Sequence, residues 1–378
     1  MTCHQASPTN HTPQTYLPAH QMTRPPFPMH PKRFIPGART VLMLIVALFS
    51  LASAAAGSPM KLSLPTENTA IFSQEPWRFY MYTDRHFEGK KSKPWQGGTY
   101  GFSRNPKRTA EGLLYTKLHE GVDVAPVRRD AAGIPQDAVR AISDGKVVHT
   151  SHQSKHSNYG RYVVIEHQWS DGTYYSLYAH LQSISVKPGQ KVQSGTPIGV
   201  LGWTGSGINL TRAHLHLELN LMVHTDFERY HDRFLSGTNH HTIYNGINLV
   251  GVDVAELFKM ARSNSRLSMA EFVRAAHPPH YRVAIPDGSK LEIVNRNPWI
   301  SNGKKAAPGP WELTFSREGV PIAARPIQAD IAKPVVTWVK PSKTYHSYLT
   351  KGYLTGSGRN AGLSPAGFGF IALLTGRF

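Results

Sequence analysis

Three stretches carry side chains that could together do metal-assisted chemistry. The first is Ala213-His214-Leu215-His216-Leu217-Glu218-Leu219-Asn220. Read with period two, it puts His214, His216, Glu218 and Asn220 on one face and Leu215, Leu217, Leu219 and Leu221 on the other. In a helix the two histidines would point about 200° apart and the leucines would form no single stripe. The segment therefore predicts a strand with a leucine face toward a core and two imidazoles opposite. For His-x-His alone, an ordinary half-buried strand with solvated imidazoles reads equally well. The second stretch, His119-Glu120-Gly121-Val122-Asp123, tips the balance by offering a further imidazole and a carboxylate. Gly121 and the following Pro126 favour extended or turn structure there. One imidazole and one carboxylate from this stretch, with one imidazole from the 214–216 strand, make a His2Asp set. Such a set leaves one position of a tetrahedral ion open, as catalytic zinc sites do. The third stretch is Tyr178-Ala179-His180-Leu181, at the end of a predicted strand. An unligated histidine beside a metal can hold or accept a proton, or stabilise an oxyanion.

The elements that must position these groups are short strands. From about 111 to 223, segments 139–149, 161–167, 174–180 and 192–201 read as strands separated by turns. Ser170-Asp171-Gly172 joins the second and third as a hairpin, since Asp-Gly suits a type I′ turn. Regular spacing of this kind predicts a mainly β, antiparallel sheet or sandwich domain. Residues 57–110 are loop-rich, with Pro65, Pro76, Pro94 and Gly97-Gly98, and show no site chemistry of their own. Helices are expected within 226–280: Asp253 can cap 254–261, and Ser268-x-x-Glu271 is a capping box before 272–276. Residues 281–378 return to strand-like runs, a β-rich region with no assignable motif.

Composition narrows the class. With 378 residues, 40% of them hydrophobic and 17% charged, the chain is ordinary globular material. The net charge of +18 suits an anionic partner, but the basic residues are scattered rather than in runs, which disfavours nucleic acid. Cys3 is the single cysteine, so a disulfide framework and a Cys-based zinc site are excluded. Residues 1–39 contain Arg24, Lys32, Arg33 and Arg39 and no acidic residue. An apolar run over 41–51 and the small residues Ala52-Ser53-Ala54-Ala55-Ala56 follow. This is the build of a secretory signal, and the run is shorter than the roughly 20 apolar residues of a membrane span. It predicts a secreted or periplasmic protein that meets the membrane only through its signal, with an uncleaved N-terminal anchor as the alternative.

Other groups read as surface or packing residues. His149, His152, His156, His240, His241, His277 and His280 are expected in solvent. Tyr174, Tyr175, Tyr178 and Trp203 divide between core and substrate groove. Ser206 lacks the strand–elbow–helix setting of a serine nucleophile.

The motifs, in order and spacing, resemble the lysostaphin-type (LytM-like) zinc metallopeptidase family. The shared residues are His119-x-Gly-x-Asp123, Tyr178-Ala-His-Leu181 and His214-x-His216. The connecting phrases are similar too: Ala141-x-x-Asp-Gly-Lys-Val-Val148, Tyr159-Gly-Arg-Tyr-Val-Val-Ile-Glu-His167, Val186-Lys-Pro-Gly-Gln-Lys-Val192 and Ile198-Gly-Val-Leu-Gly-x-Thr-Gly205. The resemblance covers about 115 of the 378 residues. It implies a compact antiparallel β-sheet of the duplicated hybrid motif type over 111–225 and a peptide of bacterial peptidoglycan as substrate. It also implies zinc held by His119, Asp123 and His216, with His180 and His214 as the catalytic pair, their two roles not separable. Glu218, on the ligand face, then reads either as a partner orienting an imidazole or as a solvated carboxylate. The segment 127–133 looks longer and more charged than the family pattern, which could reshape the groove. No ligand is missing, which favours an endopeptidase. A catalytically silent or autoinhibited wall-binding regulator remains the other reading, with 57–110 and the C-terminal region as candidates to cover the zinc.

Overall fold

The leucine face of 215–221 is the floor of the fold. A computed structural model describes residues 58–378, so the apolar run and cleavage signal read at the N-terminus lie outside the described residues. The strands that matter for the site are β1 Gly101–Thr109, β2 Gly112–His119, β3 Val122–Val124, β4 Gly145–Ser151, β5 Tyr162–Trp169, β6 Gly172–Ala179, β7 Lys191–Val192, β8 Leu215–Met222 and β9 Leu249–Val252. Strands β7-β4-β5-β6-β8-β9 form one sheet in that order, and β3 pairs with the start of β8. Every pairing is antiparallel. All eight residues of β8 are buried. Leu215, Leu217, Leu219 and Leu221 join one large core with Val122, Val124, Val163, Ile165, Tyr174 and Tyr178. Burying each such side chain contributes about 1.5–3 kcal/mol relative to leaving it in water. The period-two reading of this strand holds.

Two expected strands are each two. The 139–149 run is Ala138–Arg140 and then β4, and the 192–201 run is β7 and then Pro197–Val200. Ala138–Arg140 and Pro197–Val200 pair in a second small sheet with Ser183–Ile184. Each run changes sheets in its middle, where Asp144 Oδ1 accepts the Ser194 N–H at 2.7 Å and the Ala141 N–H donates to Thr196 O at 2.9 Å. The β5–β6 hairpin forms as expected, with Trp169 opposite Gly172. Its turn is not type I′, however: neither Ser170 nor Asp171 has a positive φ. Asp171 instead accepts the Met269 N–H at 2.7 Å and the Tyr174 hydroxyl at 3.1 Å, which ties the hairpin to a distant helix. Gly172 is a strand residue whose Cβ would meet Asn297 Oδ1 at 2.5 Å, so close approach explains it.

The helices α1 Phe227–Phe234, α2 Val254–Ser263 and α3 Met269–Ala276 follow. Asp253 caps α2 through the Glu256 N–H, and both bonds of the Ser268–Glu271 capping box are present on α3. The C-terminal region is β-rich as expected, with β10 Tyr281–Ile285, β11 Trp311–Phe315, β12 Pro321–Pro326 and β13 Val335–Val339 in the order β12-β11-β10-β13. It ends, unexpectedly, in helix α4 Pro365–Thr375, capped by Ser364 and closed by left-handed Gly376. That helix is apolar on nearly every face, so it shows no helical periodicity to read. Among the described residues no helix is long and apolar enough to cross a membrane.

The expected boundary at 110/111 falls in the turn of the β1–β2 hairpin, where Thr109 pairs with Gly112. The segment before it also donates the Met81 N–H to Asp123 O at 2.7 Å and contributes Ile71 and Phe79 to the core. Between the hairpin and β3, Gly121 lies against β8, where a Cβ would stand 2.3 Å from Leu217 O and 2.9 Å from Glu218 Cγ. Backbone cannot give way cheaply, so Gly121→Ala is expected to destabilise the fold by about 1–3 kcal/mol, the usual cost of overpacking. A urea or thermal unfolding curve superimposable on the parent's would refute that.

Candidate metal centre and active site

The site is assembled where β2, β3, β6 and β8 meet. Register does the first part: His216 pairs with Asp123 on one side and with Ala179 on the other. His119 is the last residue of β2, and His180 follows the last residue of β6. Their side-chain atoms converge on one point. Among the described residues, His119, Asp123 and His216 are the group whose donor atoms all lie within 4.8 Å of one another. His119 Nε2 is 3.1 Å from His216 Nδ1, and each is 3.1 Å from Asp123 Oδ1. His214 Nε2 lies 3.3 Å from the same carboxylate oxygen, and the His180 ring stands edge-on to that of His214 with centroids 4.8 Å apart. The structure thus brings together all five residues that the resemblance singles out.

Each imidazole is held from behind. His119 Nδ1 donates to Thr99 O at 2.9 Å, His180 Nδ1 to Thr204 O at 2.9 Å, and His214 Nδ1 to Arg212 O at 2.6 Å. These acceptors assign the proton to Nδ1 and leave Nε2 free toward the centre. His216 is reversed: Nε2 is 2.8 Å from Glu218 Oε1, which leaves Nδ1 for the centre. Glu218 is buried, so it is not a solvated strand carboxylate. It accepts further bonds from the Tyr159 hydroxyl at 2.8 Å and Asn220 Nδ2 at 2.9 Å. Carboxylate or carbonyl partners behind ligating imidazoles are the usual support of a metal site. Three converging N and O donors with their far sides saturated fit zinc.

The electrostatics favour ligand roles for Asp123 and His119, whereas His216 carries a proton that a metal ion would have to displace from Nδ1. Burial pushes the Asp123 carboxyl up, but the His119 and His214 rings facing it outweigh this and hold it well below the usual range. Burial lowers the His119 ring, and burial with His214 and His216 nearby pushes His180 well below its usual value, so both are neutral imidazoles. Burial also opposes charge on His216, yet the carboxylates on its two nitrogens carry it up to about 9. His180 has φ +64°, an unfavourable conformation for a non-glycine residue. It is kept there by its N–H on Tyr159 O and its ring on Thr204 O.

The centre opens into a groove of about 340 Å3. Several of its residues carry no signal in the sequence reading. Arg104, from the segment that showed no site chemistry, donates Nη2 to Asp123 Oδ2 at 2.6 Å and lines the groove with Thr83. Arg212 lines it from the turn Leu210–Arg212, before His214. These contacts depend on long-range packing and follow no local spacing. Tyr159 is the groove's aromatic wall, whereas Tyr174, Tyr175 and Tyr178 are buried in apolar clusters and half-buried Trp203 packs against the core. The segment 127–133 contributes no groove-lining residue; Asp137 accepts its Val127 and Arg128 N–H groups, and Arg129 Nη1 donates to Leu210 O, in the turn that carries Arg212, at 3.1 Å. His152, His156 and His240 are exposed as expected, while His149 and His241 are half-buried beside Tyr162. His277 and His280 are buried rather than on the surface, against Tyr100, Phe272 and His346. Both precede β10; His277 is covered by Tyr100 of the hairpin region and by Phe272, and His280 faces His346 of the C-terminal region.

Residues 117–226 match peptidase family M23, the segment that holds all five residues. The lysostaphin-type resemblance is borne out there. Peptidoglycan DD-endopeptidase ShyB of Vibrio cholerae is 34% identical over 166 residues, 42% of this chain and 34% of that protein. Peptidoglycan DD-endopeptidase ShyA of the same organism is 43% identical over 116 residues, 30% and 23% of the two chains. Murein hydrolase activator NlpD of Salmonella dublin is 33% identical over 88 residues, 23% and 22% of the two. The chain therefore spans about a third or less of the length of these relatives.

Removing the carboxylate behind His216 tests the support of the centre. Glu218→Gln is expected to weaken zinc affinity about 10- to 100-fold, read by competition with a chromophoric chelator. Unchanged affinity would make Glu218 a mere packing residue.

Proposed function

We propose that the mature chain is a secreted or periplasmic zinc endopeptidase that hydrolyses peptide cross-links of bacterial peptidoglycan. The convergence of His119 Nε2, Asp123 Oδ1 and His216 Nδ1 beside two further imidazoles carries this reading. His119, Asp123 and His216 would hold the ion. Zinc bound there would polarise a scissile carbonyl and acidify a water from a pKa of about 15.7 toward 7. His180 and His214 present Nε2 to the same space, with Nδ1 anchored on a backbone carbonyl. One takes the proton of the attacking water and passes it to the leaving amine. Its neighbour hydrogen-bonds the carbonyl oxygen as charge develops. Peptidoglycan as substrate is supported by the names of the DD-endopeptidase relatives, and the basic balance of the chain suits an anionic wall.

The second reading, a wall-binding regulator without turnover, is supported by the similarity to the murein hydrolase activator. The complete donor set weighs against it.

Digestion of purified peptidoglycan, followed by mass spectrometry of the products, separates the two. Peptide fragments are expected from the zinc-loaded protein and from neither His216→Ala nor a chelator-treated sample. No release from any wall type, with zinc bound, would favour the regulator. His214→Ala should keep zinc near one per chain while turnover falls about 10²- to 10⁴-fold, the usual contribution of a general acid–base. Loss of the metal in that variant would make His214 a ligand instead.

A further inference from the structure

Three cations in the groove have no part in the chemistry above. Arg104 is locked by Nε on Gly97 O at 2.9 Å and by Nη2 on Asp123 Oδ2. Arg212 is locked by Nε on Tyr82 O at 3.2 Å. Its nearest carboxylate, Asp84, is exposed and stands 4.0 Å away. Lys117 is exposed at the groove wall. Among the described residues, Arg104 Nη1, both Nη atoms of Arg212 and Lys117 Nζ have no hydrogen-bond acceptor.

The acids of the groove are already engaged. Asp123 serves His119, His214, His216 and Arg104; Glu218 serves His216, Tyr159 and Asn220; Glu120 faces Lys351 Nζ at 3.4 Å. The side chains of Arg104 and Arg212 are only 29% and 15% exposed, so their free donors are partly desolvated without an anion. A guanidinium plane fixed at Nε with its Nη edge unused is preorganised for a carboxylate. Arg212 also adjoins the reacting centre, because its own carbonyl orients His214.

We infer that Arg212, with Arg104 and Lys117, forms a carboxylate-binding subsite that selects cross-linked peptides bearing a free carboxylate beside the amide to be cut. This inference rests on the endopeptidase reading. It adds a chemical requirement: the side chain or terminus flanking the scissile bond must be anionic, and the neutral amide of the same peptide is a poor ligand. A charge-assisted bond lost to amidation corresponds to roughly a tenfold or greater difference.

The test uses two probes, a cross-linked muropeptide dimer with free carboxylates and the same dimer with those carboxylates amidated. Zinc-loaded protein is assayed for kcat/KM on both. Zinc-loaded His214→Ala is titrated calorimetrically with both, so that binding is read without turnover. The free-carboxylate dimer is expected to be bound and cut at least about tenfold better. Arg212→Gln should bring that ratio toward one, mainly through KM, and Arg212→Lys should restore part of it. Lys117→Gln, at an exposed position, should lower the ratio while leaving the thermal midpoint in place. Equal affinity and equal kcat/KM for the two dimers would overturn the subsite. Preferential binding of the free-carboxylate dimer without cleavage of either would uphold the subsite and remove the endopeptidase reading instead.

Discussion

The register of three residue pairs carries this site. Val122–Val124 runs antiparallel to the start of Leu215–Met222, with His216 opposite Asp123. A slip of one residue would turn every side chain of the moving strand to the other face. It would put Asp123 among the leucines and withdraw the carboxylate oxygen that His119, His214 and His216 all approach. The register is pinned from both faces. Valines at 122 and 124 enter the core with the four leucines, and Gly121 lets the backbone lie against Leu217 O where a Cβ would clash. Leu219 to Met222 pair with β9 along the same edge, so every residue of β8 except Glu218 is paired there.

On that frame the polar groups are buried in mutual satisfaction. A carboxylate as deep as Asp123 would be costly alone. It persists because the Arg104 guanidinium pairs with its Oδ2 at 2.6 Å, while its Oδ1 and the imidazole nitrogens beside it form a donor set suited to a cation. Three of the four histidines spend Nδ1 on backbone carbonyls from loops, and His216 spends Nε2 on a carboxylate of its own strand. The opposite choice follows from direction: alternate residues of a strand share a face, so Glu218 stands beside His216 and reaches the nitrogen turned away from the centre. Partners on the far nitrogens hold ring orientations more firmly than apolar packing would, since breaking one leaves another buried and unsatisfied.

The flanks are parts of the same machine. Residues before 111 supply Thr99 O to His119, Arg104 to Asp123 and half of the hairpin that ends at His119. The C-terminal region reaches the other side of that hairpin, through Tyr348 on Lys107, Thr344 on Glu111 and Lys351 beside Glu120. The groove wall draws Thr83 and Arg104 from before the 117–226 segment, so that segment alone does not specify its shape and charge, while the C-terminal region braces the hairpin from outside.

What the sequence by itself determined is what local geometry controls. Alternation along 213–221 defined a strand, its core face and its polar face. The Asp253 and Ser268–Glu271 caps placed two helices. The motifs shared with the lysostaphin-type family singled out His119, Asp123, His180, His214 and His216, the residues that the fold then gathers. Tertiary structure alone decided the rest. Which nitrogen of each imidazole faces the centre depends on carbonyls of Thr99, Thr204 and Arg212 that no spacing announces. The burial of Glu218, His277 and His280 depends on what packs over them, and the apolar helix at the C-terminus has no periodicity to reveal it. Arg104 meets Asp123 because a hairpin folds back, and Arg212 enters the groove because the turn before β8 is tied to Tyr82. A strand's two faces are a property of the chain over a few residues; a partner across 97 residues, as between His119 and His216, is a property of packing.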